Sequence, residues 1–119
     1  MKGRDDMGTN YYAVKSTPTV DSPIHIGKSS WGWKFLFHEY EDTWHEPPIV
    51  WHTFNQIKAW LKEYVEQKKE YVIMNEYDQI VSLSEFLDMV KQKQENDNKD
   101  NFKYAKNVDG YRFVEGEFL

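Results

Sequence analysis

The segment His25-Ile-Gly-Lys-Ser-Ser-Trp-Gly-Trp33 sets an imidazole, an ammonium, two hydroxyls and two indoles in one short run. Each type has a use against an anionic or nucleotide-like ligand. His25 changes charge near neutral pH, Lys28 neutralises a phosphate or carboxylate, Ser29 and Ser30 donate hydrogen bonds, and Trp31 or Trp33 offers a face on which a base can stack. Gly27 and Gly32 let the backbone come close to such a group. Tyr11 and Tyr12, in Gly8-Thr-Asn-Tyr-Tyr12, are the other aromatic pair set among polar residues and a second source of stacking surface.

Several more specific chemistries fail on spacing. Gly27-Lys28-Ser29 matches the end of a magnesium-binding P-loop, but that loop needs a glycine where Ser22 stands and a helix afterwards, whereas alternation predicts a strand. What survives is a looser anion site of Lys28, Ser29, Ser30 and nearby amides. The histidines His25, His38, His45 and His52 are spaced by 13, 7 and 7 residues, which gives no pair on one helix turn, and there is no cysteine. No metal and no cofactor is therefore expected. No G-x-S-x-G elbow surrounds Ser29 or Ser30, and no two of the twenty acids are singled out as a hydrolytic pair. A binding protein is favoured over an enzyme, with a small nucleotide hydrolase as the enzymatic alternative.

Composition narrows the partners. A formal charge of −5 argues against unspecific binding to a nucleic-acid backbone. The absence of cysteine fits a reducing compartment. No run reaches the ~18 apolar residues of a membrane span, and Met1 to Met7 lacks the apolar region of a signal peptide, so a cytoplasmic protein with no membrane partner is expected. Aromatic residues make up 17% of the chain, enough for both a core and a contact surface, including one between copies of the chain in a homo-oligomer.

The elements that must position these groups follow from periodicity. Residues 1–7 carry no pattern and are expected to be a flexible N-terminus, with either Met1 or Met7 as the start; residues 8–119 are read as one domain. Tyr11 to Val14 alternates as a strand, Ser16 to Pro23 is a loop, and Ile24-His-Ile26 is a β-like tripeptide that stops at Gly27. Trp31, Trp33, Phe35 and Phe37 share one parity of a predicted strand, while Lys34, Leu36 and His38 take the other. Glu39 to Pro48 is read as an acidic loop. Thr53-x-x-Gln56 is a capping box, and Phe54, Ile57, Trp60, Leu61, Tyr64 and Val65 then form the apolar stripe of a helix ending near Lys68. Tyr71 to Met74 and Ile80-Val81 form a hairpin. Ser82-x-x-Glu85 caps a second helix to about Gln94, and Glu95 to Asn101 is a polar connector. Phe102 to Lys106 and Tyr111 to Val114 close the chain as a hairpin around Asp109-Gly110. These elements predict an α+β domain, a mostly antiparallel sheet with two helices packed on one face.

The stretches Met7-Gly-Thr-Asn-Tyr-Tyr12, His25-Ile-Gly-Lys-Ser-Ser30 with Gly32-Trp33, Asn75-Glu-Tyr-Asp78 and Gly110-Tyr-Arg-Phe-Val-Glu-Gly-Glu-Phe118 resemble a family of small phage and prophage proteins. Many of its members resemble a zinc ribbon between the first two motifs; the corresponding place here, Lys15 to Ser22, has no cysteine, so that feature is not carried over. The resemblance implies a phage setting, in the cytoplasm of a host cell, and one site shared by the motifs.

Two functional expectations follow. In the first, Tyr11, Tyr12, His25, Lys28, Ser29, Ser30, Trp31 and Trp33, joined by Tyr111 and Glu115 from the final hairpin, surround a nucleotide-like or other anionic small molecule and sequester it, for instance a host defence signal. An irregularity between Gly27 and Gly32 would expose Lys28 to Ser30 and turn one indole to that pocket. In the second, the acidic stretch with Glu39, Glu41, Asp42 and Trp44 binds a host defence or nucleic-acid-processing protein directly.

Overall fold

Two capping motifs fix where the helices begin. In the computed structural model, which describes residues 8–30, 33–95 and 105–115 and, for Glu115, the backbone alone, the Thr53 hydroxyl accepts from the Gln56 amide at 3.1 Å. The Ser82 and Glu85 side chains cap each other's amides reciprocally. Helix α1 (Phe54–Leu61) follows the first cap and continues as a π-helical turn over Lys62–Gln67, closed by the Lys68 amide donating to the Glu63 carbonyl. Helix α2 (Leu83–Lys93) follows the second.

The strands are β1 (Thr9–Lys15), β2 (Ile24–Ser29), β3 (Leu36–Asp42), β4 (Ile49–Trp51), β5 (Tyr71–Asn75), β6 (Ile80–Val81), β7 (Ala105–Val108) and β8 (Tyr111–Glu115). They form one sheet in the order β6-β5-β1-β2-β3-β8-β7, with β4 paired to the far end of β3. Every pairing is antiparallel except that of β3 with β8. The fold is therefore the α+β arrangement predicted from periodicity.

Both helices cover the same face. Phe86 of α2 meets Tyr11 and Phe35, and Phe54 of α1 meets Phe37 and stacks on Tyr111 at 4.3 Å. Phe35, Phe37 and Phe86 are fully enclosed together with Ile26, Ile57, Leu61, Ile73 and Phe113, and Tyr11, Phe54 and Tyr111 pack against them half-buried. Each fully enclosed side chain is worth about 1.5–3 kcal/mol relative to exposure. Trp51 closes one end, its indole N–H donating to the His38 carbonyl at 2.7 Å and its ring standing edge-on to Trp60.

Several predicted boundaries are corrected. The strand expected from Trp31 begins only at Leu36, because the chain reverses after Ser29, with the Trp33 amide bonded to the Ser30 carbonyl. The β-like tripeptide ending at Gly27 is a strand running on to Ser29, and Glu39 to Asp42, expected in a loop, belong to β3. Strand β4, which falls between the Pro47-Pro48 pair and α1, was not foreseen. The expected flexible N-terminus, most of the polar connector and Phe102 to Tyr104 lie outside the described residues.

Candidate functional site

The irregularity that shapes the site falls earlier than expected. Tyr11 pairs with Gly27 and Tyr12 with His25, so Ile26 is an extra residue in β2, a β-bulge. The extra residue keeps Ile26 in the core while the strand beyond it changes sides. Cross-strand partners share a face of the sheet, and the registers Asn10↔Lys28, Tyr12↔His25, Lys28↔Leu36, Leu36↔Arg112 and His38↔Val114 therefore place Asn10, Tyr12, His25, Lys28, Leu36, His38 and Arg112 together on the face turned away from both helices. The bulge also explains Gly27: a Cβ there would stand 2.3 Å from the Leu36 carbonyl oxygen and 2.5 Å from Phe35.

Lys28 and Arg112 flank Leu36 on the strands either side of β3. Two interstrand steps separate their backbones by about 10 Å, a distance over which two long cationic side chains can converge. Next to this row runs a line of rings. Tyr12 stacks on His25 at 5.0 Å, His25 lies 4.9 Å from His38, and His38 stacks on Tyr40 at 5.3 Å. His25, His38 and Arg112 are all buried. Burial, and then the charge His25 carries when protonated, push the His38 imidazole down to about 4, so His38 is neutral at physiological pH.

His25 is oriented by a relay across β1. The Asn10 amide nitrogen donates to Glu76 Oε1 at 2.9 Å, which turns Asn10 Oδ1 toward His25 Nε2, also at 2.9 Å. An amide oxygen only accepts, so Nε2 carries the proton. Glu76 further accepts from the Asn10 backbone amide at 2.7 Å, tying the β5–β6 turn to the strand that carries Tyr12.

The expected ligand-binding residues separate into distinct places. Tyr12, His25 and Lys28 come together, and the two motifs that carry them are hydrogen-bonded neighbours in the sheet. Tyr11 lies on the opposite face against Phe35 and Phe86, where burial pushes its phenol up, and Tyr111 lies against Phe54 and Phe37 on that same face. Ser29 ends β2 and Ser30 follows it, its carbonyl accepting from the Lys93 ammonium of α2 at 2.9 Å. Burial lowers that ammonium's pKa. Trp33 is half-buried in the turn. Trp31 and the Glu115 side chain lie outside the described residues.

The acidic residues are likewise divided. Glu39 pairs with Lys106 at 2.9 Å and with His52; burial pushes its carboxyl up, but these two partners outweigh burial and hold it below the ordinary value. Glu41 is exposed, 3.2 Å from the other nitrogen of His52. Asp42 Oδ1 accepts from the amides of Trp44 and His45, each at 3.1 Å, and Trp44 is 95% exposed.

Sequence reading singled out neither Asn10, His38, Arg112 nor Glu76 for the site. His38 was readable from parity alone, since it alternates with Phe35 and Phe37. Arg112 was not, because it joins the site only through the parallel pairing of β3 with β8. Among the described residues no cluster of three or more His, Asp or Glu could hold a metal ion, and no helix is long and apolar enough to cross a membrane.

The fold and site thus define an α+β protein whose helix-free sheet face carries basic and aromatic side chains. No family model, curated protein or solved structure matches the chain.

Proposed function

We propose that the chain is a non-enzymatic binding protein that holds an anionic, nucleotide-like small molecule against the helix-free face of its sheet. The observation that carries this reading is the cross-strand row Lys28–Leu36–Arg112 beside the Tyr12–His25 stack. Lys28 and Arg112 supply charge-assisted hydrogen bonds to phosphate, and Tyr12, stacked on a His25 ring that the Asn10–Glu76 relay holds in place, supplies stacking surface. The resemblance of the segments bearing Tyr12 and Lys28 to small phage proteins supports sequestration of a host signal as the use of such a site.

Calorimetry with cyclic and linear nucleotides and with inorganic phosphate tests the proposal. Saturable heat with at least one nucleotide, weakened about tenfold or more by Lys28→Ala, is expected, since one charge-assisted hydrogen bond is worth roughly 1.5–3 kcal/mol. No heat with any of them overturns it. Recovery of the ligand unchanged from the denatured complex separates sequestration from the hydrolase alternative.

A further inference from the structure

Two of the most exposed apolar side chains flank one cleft at the end of β2 opposite Lys28. The cleft, about 280 Å³, runs between the loop after β1 and the β3–β4 turn, lined by Asp21, Ser22, Ile24, Tyr40, Asp42 and Ile49 among others. Val20, 101% exposed, and Trp44, 95% exposed, are the chain neighbours of Asp21 and His45 on its two walls. Ile24 and Ile49 are buried and form its apolar base.

The backbone of the turn that carries Trp44 is fixed by a set of bonds. Asp42 Oδ1 accepts from the Trp44 and His45 amides, His45 Nδ1 donates to the Pro47 carbonyl at 2.7 Å, and the Pro48 carbonyl accepts from the Trp60 indole at 3.0 Å. A tryptophan has only two side-chain torsions to lose on binding, so on a fixed turn it offers a large contact area at low entropic cost. Charge indicates the partner. Residues 16–24 and 40–50 contain Asp21, Glu41, Asp42 and Glu46 and no Lys or Arg. The cleft, at about 280 Å³, has room for one inserted side chain.

We infer that this cleft docks a basic peptide segment of a partner protein. A Lys or Arg of the partner lies between Asp21 and Asp42 with its alkyl stem on Ile24 and Ile49, and an adjacent apolar residue packs on Trp44 and Val20. This surface adjoins the line of rings at Tyr40, but it uses none of Tyr12, His25, Lys28 and Arg112 and does not depend on the proposed anion site.

The test is selection of a random linear-peptide display library on the immobilised full-length chain, with Trp44→Ala and Asp21→Lys as counter-screens. Both positions lie on exposed loop segments, so the variants are expected to melt with the wild type. Selected peptides should pair Lys or Arg with an aliphatic or aromatic neighbour and lose about tenfold or more in affinity against each variant. No enrichment, an acidic or uncharged consensus, or affinity indifferent to either substitution overturns the inference. So does concentration-dependent self-association abolished by Trp44→Ala, which makes a second copy the occupant.

Discussion

The imidazoles of His25 and His38 lie 4.9 Å apart on adjacent strands, tilted by 53°, in a buried part of the sheet. Two cations cannot share that space cheaply, and His38 is the one that stays neutral. Its pKa falls from 6.5 in the unfolded chain to about 4 in the fold, so below pH 6.5 the unfolded state takes up a proton that the native state refuses. The stability this group contributes is complete above pH 6.5 and is lost as the pH falls toward 4, by about 3 kcal/mol in total. Urea denaturation across this range should show that slope in the wild type and its loss in His38→Phe.

Glu39 governs a lower window. Lys106 and His52 hold its carboxylate below the usual range, so it stabilises the fold above that range and ceases to as the pH falls through its native pKa. Lys106 is about half exposed, which screens the pair. Glu39→Gln should cost about 1–2 kcal/mol at neutral pH, and the wild-type and variant melting curves should converge in acid. A constant difference across the titration would show that packing, not charge, is at work.

How far the sequence could be read depended on whether a feature was local. The two N-caps and the Asp109-Gly110 turn were legible because their partners lie within four residues, although only Ser82 and Glu85 complete a capping box, the Gln56 side chain accepting from the His52 amide instead of the Thr53 amide; the fold class followed from the order of the elements. The start of β3 was not, because the Trp31 to Phe37 alternation continues through a chain reversal that only the pairing of Gly27 with Phe37 reveals. At the site, the neighbourhood of Tyr12, His25 and Lys28 was foreseen. The separation of Tyr11 and Tyr111 from them was not, since it turns on which side of the sheet the helices cover. Arg112 joins the face by pairing with Leu36 across strands more than seventy residues apart in sequence, a register no local pattern encodes.

The bulge makes Gly27 far less replaceable than Gly110. A Cβ at Gly27 strikes the Leu36 backbone and the enclosed Phe35 ring, neither of which can move cheaply. Gly110, at φ +89°, has open space around it, so an alanine there meets only backbone strain of about 1 kcal/mol. Thermal melts should rank Gly27→Ala well below Gly110→Ala, with the former costing about 3 kcal/mol or more, in the range of severe core disruption. Equal losses would place the bulge elsewhere.

Tyr11 and Tyr12 are chain neighbours on opposite faces, and that geometry separates folding from binding. Tyr11 packs edge-on against Phe86 at 5.5 Å and lies 6.0 Å from Phe35. Truncating it leaves a void between the sheet and α2, which should cost about 2–4 kcal/mol. It touches none of the proposed ligand groups, so Tyr11→Ala, assayed well below its melting temperature, should retain wild-type nucleotide affinity. Tyr12 rests on His25 beside Lys28 and away from the helices. Tyr12→Ala removes a stacking surface worth roughly 1–3 kcal/mol per base, so affinity should fall about tenfold or more while the melting temperature drops less than in Tyr11→Ala. Paired calorimetry and thermal melts on the two variants decide the matter. If Tyr11→Ala weakens the ligand more than Tyr12→Ala does, the ligand lies on the helix side of the sheet and the proposed site is wrong.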